Sequence, residues 1–154
     1  MSAIRSYRES DSIKLVSIAN EAFGDEIVRG MSPFTQDTFS KWVQRRGCAV
    51  TVAERDGSVV GFMILTEGNI EAPAQIQVIG VEKSQRGRGI GKELVKSAIT
   101  YVGSIKQVKL KLFTRPWNIG MSKVCLELGF VPEAYLKKDY LGEDLVLYSF
   151  FPTR

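Results

Sequence analysis

The chain contains no histidine and only two cysteines, Cys48 and Cys125, among its 154 residues. Two cysteines in separate segments indicate neither a disulfide framework nor a zinc-ligand spacing, and the lack of histidine argues against a transition-metal site and a histidine base. No hydrophobic run approaches the ~20 residues of a membrane span, and the N-terminus lacks the apolar core of a secretory signal. We therefore expect no bound metal, no membrane contact and a cytoplasmic location.

Composition and charge are those of a globular protein with an uneven charge distribution. Hydrophobic residues make up 44% and charged residues 25%, and no linker interrupts the sequence, so we expect one domain over 1–154. Ten basic and two acidic residues between Val81 and Lys123 give that stretch a charge of +8, within a total of +4. This predicts an anionic ligand at the centre and a cationic substrate elsewhere. A nucleic-acid-binding module is the rival explanation, but no recognised nucleic-acid motif accompanies the charge, so nucleic acid is not expected as a partner.

Apolar periodicity predicts the element order β-α-α-β-β-β-α-β-α-β-β. The predicted strands cover 4–8, 48–54, 58–65, 75–81, 108–114, 131–138 and 144–150. Helices are expected after the caps at Asp11-Ser12 and at Thr35 or Asp37, and over 90–102 and 117–128. Asp56-Gly57 predicts a hairpin turn between the second and third strands.

The segment 78–94, VIGVEKSQRGRGIGKEL, is the most informative part of the sequence. It places an apolar strand, a glycine-rich basic turn and an amphipathic helix in direct succession. The turn holds three glycines and three basic residues, namely Gly87, Gly89, Gly91, Arg86, Arg88 and Lys92. Glycines let backbone N–H groups approach a ligand closely, and a helix N-terminus favours an anion. The turn therefore predicts a phosphate site.

The spacing of the glycines separates the known phosphate-binding turns. A G-x-G-x-x-G dinucleotide motif fails because Lys92 stands at the third glycine position. A P-loop fails because Glu93 replaces the required Ser or Thr after Lys92, and Arg86 replaces the first glycine. The pattern R-x-x-G-x-G fits Arg86 to Gly91. It resembles the turn with which GCN5-related N-acetyltransferases, the GNAT family, bind the pyrophosphate of acetyl-coenzyme A (acetyl-CoA).

This resemblance implies an α/β (α+β) fold with a central mixed, mostly antiparallel sheet of about seven strands, helices on both faces, and a splay between the fourth and fifth strands. It implies that the backbone around Gly80 pairs with the pantetheine arm, and that the Val81 N–H polarises the thioester. Gly80 itself indicates a bulge or a close backbone approach, or alternatively space for an adjacent helix. The expected acetyl-CoA contacts are Ile79, Gly80, Val81, Arg86, Gly87, Arg88, Gly89, Ile90, Gly91, Lys92 and Asn118.

A second segment, 118–130, resembles the family pattern N-x-x-A-x-x-x-Y-x-x-x-G-F, with Asn118, Gly129 and Phe130 in register. Asn118 is expected to cap a helix, to reach the pantetheine amide, or both. Cys125 stands where the family often has a tyrosine that protonates the departing thiolate. Cys125 is therefore a candidate acid, or else a small buried hydrophobic residue.

The general base and the acceptor contacts have weaker signals. Gln75 and Phe113 occupy the positions at which several branches of the family carry a strand glutamate. Glu67, Glu71 and Glu26 remain as candidate bases, acting through a water. The run from Tyr140 to Asp144 resembles the loop of protein N-terminal acetyltransferases, including the ribosomal-protein enzymes, although Asp139-Tyr140-Leu141 replaces a double tyrosine. The resemblance implies that Tyr140 contacts the substrate backbone, and a surface hairpin around Gly142 is the alternative explanation.

The sequence thus predicts transfer of an acetyl group from acetyl-CoA to a primary amine by direct attack in a ternary complex. The candidate catalytic residues are Val81, Tyr140, Cys125 and Glu67. A protein or peptide amine is the preferred acceptor, and the expected assembly is a monomer or homodimer. Two alternatives stay open: a non-catalytic acyl-CoA sensor, and an acetyltransferase for polyamines, amino acids or aminoglycosides.

Overall fold

A seven-stranded sheet forms the centre of the molecule in the computed structural model, which describes residues 1–153. Its strands are β1 (Ala3–Ser6), β2 (Cys48–Arg55), β3 (Ser58–Thr66), β4 (Ala74–Val81), β5 (Leu110–Thr114), β6 (Val131–Tyr140) and β7 (Glu143–Phe150). They lie in the order β1-β2-β3-β4-β5-β7-β6, and all neighbours are antiparallel except β4 and β5, which are parallel. The predicted mixed, mostly antiparallel sheet is confirmed.

Helices pack on both faces of this sheet. They are α1 (Ser12–Ala22), α2 (Gly24–Val28), α3 (Gln36–Gln44), α4 (Ile90–Ser104) and α5 (Ile119–Glu127), with single 3-10 turns at Glu9–Asp11 and Lys83–Gln85. Alternate residues of β3 belong to different cores: Met63 packs with the α4 and α5 side chains, whereas Phe62 and Ile64 pack with those of α1 and α3. The expected helices on both faces are confirmed.

Each face of the sheet has its own core. The α4 core uses one stripe of the helix, whose members are at most 1% exposed: Ile90, Leu94, Val95, Ala98 and Val102. This is the stripe that the helical period predicts. The α1 and α3 core is aromatic, and the rings of Phe39 and Phe62 meet edge to face with centroids 5.3 Å apart. Both rings are fully buried.

All seven strands and helices α4 and α5 differ from their predicted bounds by one or two residues, and one helix is additional. Three of these differences have a clear physical reason. The short helix α2 was not predicted, because none of its five residues is buried and it therefore leaves no apolar period. Strand β5 starts at Leu110 rather than at Val108, which is 55% exposed. Helix α5 starts at Ile119 rather than at Trp117, because the Asn118 side chain caps it by accepting the Met121 N–H.

The turn between β2 and β3 has the predicted sequence and geometry. Asp56 and Gly57 adopt φ angles of 51° and 77°. Both values lie in the left-handed region that a type I′ hairpin turn requires, and Asp-Gly is a preferred pair for it. The Asp-Gly hairpin is confirmed.

An extra residue in β4 separates this strand from β5. Ile64 of β3 lies opposite Val78, and the next β3 residue, Leu65, lies opposite Ile76, so Gln77 forms a bulge. In the described chain β4 pairs with β5 only over residues 74–76. Beyond the bulge the two strands diverge, and the end of β5 pairs with β7 alone. The predicted splay between the fourth and fifth strands is confirmed.

Gly80 forms no bulge and packs against a strand residue rather than an adjacent helix. The bulge lies at Gln77, three residues before Gly80. Gly80 lies opposite Phe62 on β3, and a Cβ atom added to it would stand 2.7 Å from Phe62 Cε1. The residue therefore leaves room for an aromatic ring of the neighbouring strand, and not for a bulge or an adjacent helix.

The structure also bears on membrane spans and metal sites, within residues 1–153. None of the helices there has the length and hydropathy of a membrane span. The same residues contain no group of three or more His, Cys, Asp or Glu side chains arranged to hold a metal ion.

We predict that Gly80→Ala lowers the free energy of unfolding by about 1–3 kcal/mol, because the new methyl group overpacks the site against Phe62. Urea denaturation measures this change. Gly103→Ala is the matched control, since a Cβ there meets no atom within 4 Å and Gly103 lies in α4. The control should be as stable as the parent protein or up to about 1 kcal/mol more stable. Equal stability of the two variants would contradict the role of Gly80.

Candidate functional site

The glycine-rich turn connects the splayed end of β4 to helix α4. Gly87 and Gly89 have φ angles of 77° and 83°, so both use the left-handed region that favours glycine. Gly91 differs, because it lies in the first turn of α4, and an added Cβ would meet Met121 and Val81 at the ordinary distance of 3.9 Å. Two of the three glycines are thus required by the backbone.

The first turn of α4 presents free backbone donors. Glu93 makes the first hydrogen bond of the helix, from its N–H to the Gly89 carbonyl at 2.9 Å. The N–H groups of Ile90, Gly91 and Lys92 precede it and have no helical partner. Together with the helix dipole they form an anion-binding end, adjacent to Val81 of β4 and Met121 of α5.

The three basic side chains of the turn differ in whether they already contact other groups of the protein. Arg86 donates from Nε to the Val81 carbonyl at 3.2 Å, while the residue remains exposed. Arg88 is exposed and makes no ion pair with any residue that the structure describes. Lys92 Nζ lies 3.0 Å from Glu127 Oε2 of α5, and this contact lowers the pKa of Glu127. The two arginines therefore carry most of the available positive charge.

At the end of β4, two residues direct their backbone N–H and carbonyl groups into the gap between β4 and β5. Glu82 donates its N–H to the Val60 carbonyl at 2.8 Å, which fixes the hydrogen-bonded positions between β3 and β4. By the antiparallel alternation, Gly80 bonds to β3, whereas Ile79 and Val81 direct their N–H and carbonyl groups to the opposite side. β5 has diverged there, so an extended ligand can pair with these groups as an added strand.

Asn118 lies at the start of α5 and uses only part of its side chain for capping. Its Oδ1 accepts the Met121 N–H at 3.1 Å. Its Nδ2 makes no hydrogen bond within residues 1–153, so it can donate to a ligand at the same time. Capping and ligand contact, left as alternatives by the sequence, therefore use different atoms.

Cys125 lies in the core and not in the splay. Its side chain is 0% exposed and packs with the α4 core, and burial raises the pKa of the thiol to about 12. A thiol without solvent or ligand access does not exchange protons with a departing thiolate. The placement is that of a small buried hydrophobic residue, and it argues against Cys125 as the acid.

Glu67 and Glu71 lie at the wrong end of the sheet for a general base. Gly61 is the β3 residue opposite Val81, and Glu67 follows it by six positions, or about 20 Å along the strand. Glu67 instead accepts a hydrogen bond from Tyr101, which raises the pKa of that tyrosine. Glu71 is exposed in the connection before β4. Of the predicted carboxylates, only Glu26 lies near the splay.

A pocket of about 240 Å³ lies beside Asn118 and brings together α2, the end of β5 and the start of β7. It is lined by Asp25, Glu26, Arg29, Arg115, Trp117 and Glu143. Arg29 pairs with Glu143, and Arg115 Nη2 lies 3.4 Å from Glu26 Oε1. The Tyr140 ring lies over the Arg115 guanidinium, 5.4 Å from Cζ to the ring centroid.

Of the residues that the sequence singles out, Glu26 lines this pocket, and Tyr140 lies next to it through its contact with Arg115. Arg115 and Trp117 stand directly before Asn118 in the sequence, and this was the available signal for them. Asp25 lies with Glu26 in a helix that the sequence did not reveal, and Arg29 follows that helix directly. The three carboxylates of the pocket outnumber its two arginines, and with the exposed Trp117 ring they suit a cationic amine.

A larger groove of about 400 Å³ lies between α4 and strands β1 to β3, far from this pocket. Its charged lining residue, Arg5, is paired with Asp11 and Glu54, and its tyrosine, Tyr101, is bound to Glu67. The groove contains none of the residues that the sequence motifs single out. Its size alone therefore carries no function.

Comparison with known proteins agrees with the architecture. A family model described as "Acetyltransferase (GNAT) family" matches residues 14–130. No curated protein sequence matches the chain. The match spans both the glycine-rich turn and the segment that begins at Asn118.

Solved structures share the complete fold. The ribosomal-protein-S18-alanine N-acetyltransferase from Escherichia coli is 20% identical, with 100% of this chain and 96% of that chain covered and a TM-score of 0.80. The ribosomal-protein-alanine N-acetyltransferase from Brucella melitensis is 24% identical, covers 97% and 99%, and has a TM-score of 0.85. The protein yncA from Salmonella typhimurium, solved with its cofactor acetyl-CoA, is 18% identical, covers 99% and 95%, and has a TM-score of 0.87. At these identities the likeness concerns the fold.

We predict that the stability advantage of the parent protein over Cys125→Ala shrinks at alkaline pH. The folded pKa of about 12 lies above the ordinary value of 9.0, so the stabilising contribution is complete below pH 9 and is lost as the pH rises toward 12. Between pH 7 and pH 10 the difference in free energy of unfolding should narrow by about 1.4 kcal/mol. Urea denaturation at both pH values measures it, and a constant difference would show that the thiol is not buried as described.

Proposed function

The chain belongs to the acetyltransferase (GNAT) family, and from this premise we propose that it transfers the acetyl group of acetyl-CoA to a primary amine in a ternary complex. The observation that supports this proposal is the splay of β4 from β5 beside the N-terminus of α4. It supplies backbone donors for an extended thioester and an anion-binding helix end within one groove.

On the donor side, the free N–H groups of Ile90, Gly91 and Lys92 bind the pyrophosphate, with Arg86 and Arg88 adding charge. The backbone groups of the two outward-facing β4 residues pair with the pantetheine arm. Asn118 Nδ2 donates to the same arm while its Oδ1 caps α5. Apart from the Val81 carbonyl, which accepts from Arg86 Nε, these contacts use groups that make no hydrogen bond within residues 1–153, so acetyl-CoA fits this set of groups.

The reaction proceeds by attack of the amine nitrogen on the thioester carbon. Negative charge develops on the carbonyl oxygen, where the Val81 N–H stabilises it. The C–S bond then breaks as the carbonyl re-forms, and the nitrogen, now positively charged, releases its second proton to solvent. The coenzyme leaves as a thiolate that takes a proton from solvent. An ammonium with a pKa near ~10.4 must first lose a proton. Glu26, which is 14% exposed at its side chain, is the nearest of the predicted carboxylates.

On the acceptor side, we assign the amine to the pocket that Glu26 lines and beside which Tyr140 lies, over Arg115. The Tyr140 hydroxyl group contacts the acceptor, and a peptide or protein amine is the preferred acceptor class. Support comes from the run between Tyr140 and Asp144, which forms the end of β6 and the turn into β7 at the pocket mouth. Polyamines, amino acids and aminoglycosides are the small-molecule alternatives.

A non-catalytic acyl-CoA sensor is the second candidate, and one set of observations favours it. Cys125 is buried, and the two strand positions at which the family often carries glutamate hold Gln75 and Phe113. Gln75 lies in the paired part of β4, and its amide contacts Gln77 at 3.4 Å. A sensor needs the donor groove and no proton-transfer residue.

The two candidates separate in one experiment. Acetyl-CoA binding is measured by calorimetry, and acetyl transfer by mass spectrometry of the acceptor over N-terminal peptides, lysine peptides, spermidine, amino acids and an aminoglycoside. Binding with transfer to at least one amine supports the enzyme. Binding without any transfer supports the sensor, and absence of binding contradicts both.

We predict that Gly87→Ala weakens acetyl-CoA binding by about 10-fold or more, because a non-glycine residue strains the turn that aims the N–H groups. Gly57→Ala is the matched control. Both glycines have a φ of 77°, and an added Cβ meets no atom within 4 Å at either position. The two variants should lose similar stability, and only Gly87→Ala should lose affinity in calorimetry. If Gly87→Ala and Gly57→Ala bound acetyl-CoA with equal affinity, the turn would not be part of the acetyl-CoA site.

A further inference from the structure

Arg115 joins three elements around the acceptor pocket. It follows β5 directly, and its side chain is 13% exposed. One side of the guanidinium pairs with Glu26 of α2, with Nη2 and Oε1 3.4 Å apart. The guanidinium Cζ lies over the Tyr140 ring at the end of β6, 5.4 Å from the ring centroid. A single side chain therefore connects α2, β5 and the β6–β7 hairpin.

The backbone near Tyr140 does little to fix the ring. Regular pairing between β6 and β7 is interrupted between Leu136 and Tyr140, and Lys138 there has a φ of 47°. The next two residues, Leu141 and Gly142, form the turn with φ angles of 52° and 75°. Tyr140 itself is 41% exposed. Within residues 1–153 the ring lies against the Arg115 guanidinium, whose positive charge attracts the electron-rich face of the ring.

The Glu26 contact orients Arg115 for this stacking. A guanidinium is planar and always charged, so a carboxylate on its edge leaves its face available to an aromatic ring. A lysine ammonium has no such face. Glu26 is engaged by this pairing, which gives the carboxylate an orienting function in addition to any contact with the amine.

We propose that Arg115 is a positioning residue that holds the Tyr140 ring over the acceptor pocket, with Glu26 fixing the guanidinium. This inference rests on the proposed function, in which Tyr140 contacts the acceptor. Arg115 reaches the reaction through Tyr140 and not through the substrate.

The test combines kinetics with a direct observation of the ring. Arg115→Met should raise the KM for the acceptor by about 2- to 30-fold, the range expected for loss of a cation–aromatic contact. The Kd for acetyl-CoA should stay unchanged. Tyr140→Leu should raise the same KM, and the double variant should be no worse than the poorer single variant, because both remove one interaction.

Conservative variants report on the mechanism of positioning. Arg115→Lys keeps the charge beside Glu26 and loses the flat face, so it should rescue only part of the acceptor KM. Glu26→Gln keeps Arg115 and loosens its orientation. It should raise the acceptor KM by less than Arg115→Met does. If Arg115→Met fails to fold, these two variants carry the test.

Aromatic NMR signals of Tyr140, assigned by comparison with Tyr140→Phe, give a readout that needs no activity. They should shift in Arg115→Met, and less in Arg115→Lys. Lys109→Met is the matched control, because Lys109 is also a poorly exposed cation (22%) that joins the β5 side of the sheet to β6, through Glu133. It should leave both the Tyr140 signals and the acceptor KM unchanged.

The outcomes separate this inference from the proposed function. A parent protein that acetylates no amine contradicts the function, while shifted Tyr140 signals in Arg115→Met still establish the contact. Unmoved Tyr140 signals, or KM effects of Arg115→Met and Tyr140→Leu that multiply in the double variant, overturn the assignment of Arg115.

Discussion

The divergence of β4 from β5 is the constraint on which the rest of the structure depends. One extra residue, Gln77, ends the parallel pairing after three register positions and leaves the far half of β4 without a neighbour on that side. Unpaired strand edges are normally costly or protected. Here the edge lies beside the N-terminus of α4, where β5 pairs with β7 alone, so it is open to a ligand. On the other side of β4, the fit of Phe62 against Gly80 fixes this strand to β3.

Different kinds of chemical groups line the two sides of the splay. The proposed donor side consists mainly of backbone, namely N–H groups of the α4 turn and outward-facing amides of β4, together with the side chains of Asn118, Arg86 and Arg88. The acceptor side consists of side chains from α2, the end of β5 and the start of β7, joined by the pairs Arg29 with Glu143 and Arg115 with Glu26. A backbone site recognises a constant part of a ligand, such as a coenzyme. A side-chain site is where related proteins can change the acceptor without altering the fold.

This difference explains what could be predicted from the sequence. Glycines that require a left-handed backbone, the apolar stripe of α4 and the Asp56-Gly57 turn are local signals, and each was confirmed in place. The acceptor pocket has no local signal, because its residues meet only when distant segments fold together. The place of Glu67, about 20 Å along the strand from the residue opposite Val81, has no local signal either, because it depends on the antiparallel register of β3, which the sequence does not state. Helix α2 was missed because it buries no residue.

The ion pairs in the structure change the interpretation of the uneven charge distribution along the sequence. Four of the ten basic residues between Val81 and Lys123 contact acidic side chains of the protein itself: Lys92, Lys109, Arg115 and Lys123. Their partners Glu26, Glu127 and Glu133 belong to the acidic remainder of the chain. Part of the sequence asymmetry is therefore internal pairing rather than two ligand-facing surfaces. The charge left at the glycine-rich turn, on Arg86 and Arg88, is local and suits a compact diphosphate better than the continuous basic stripe that tracks a nucleic acid backbone.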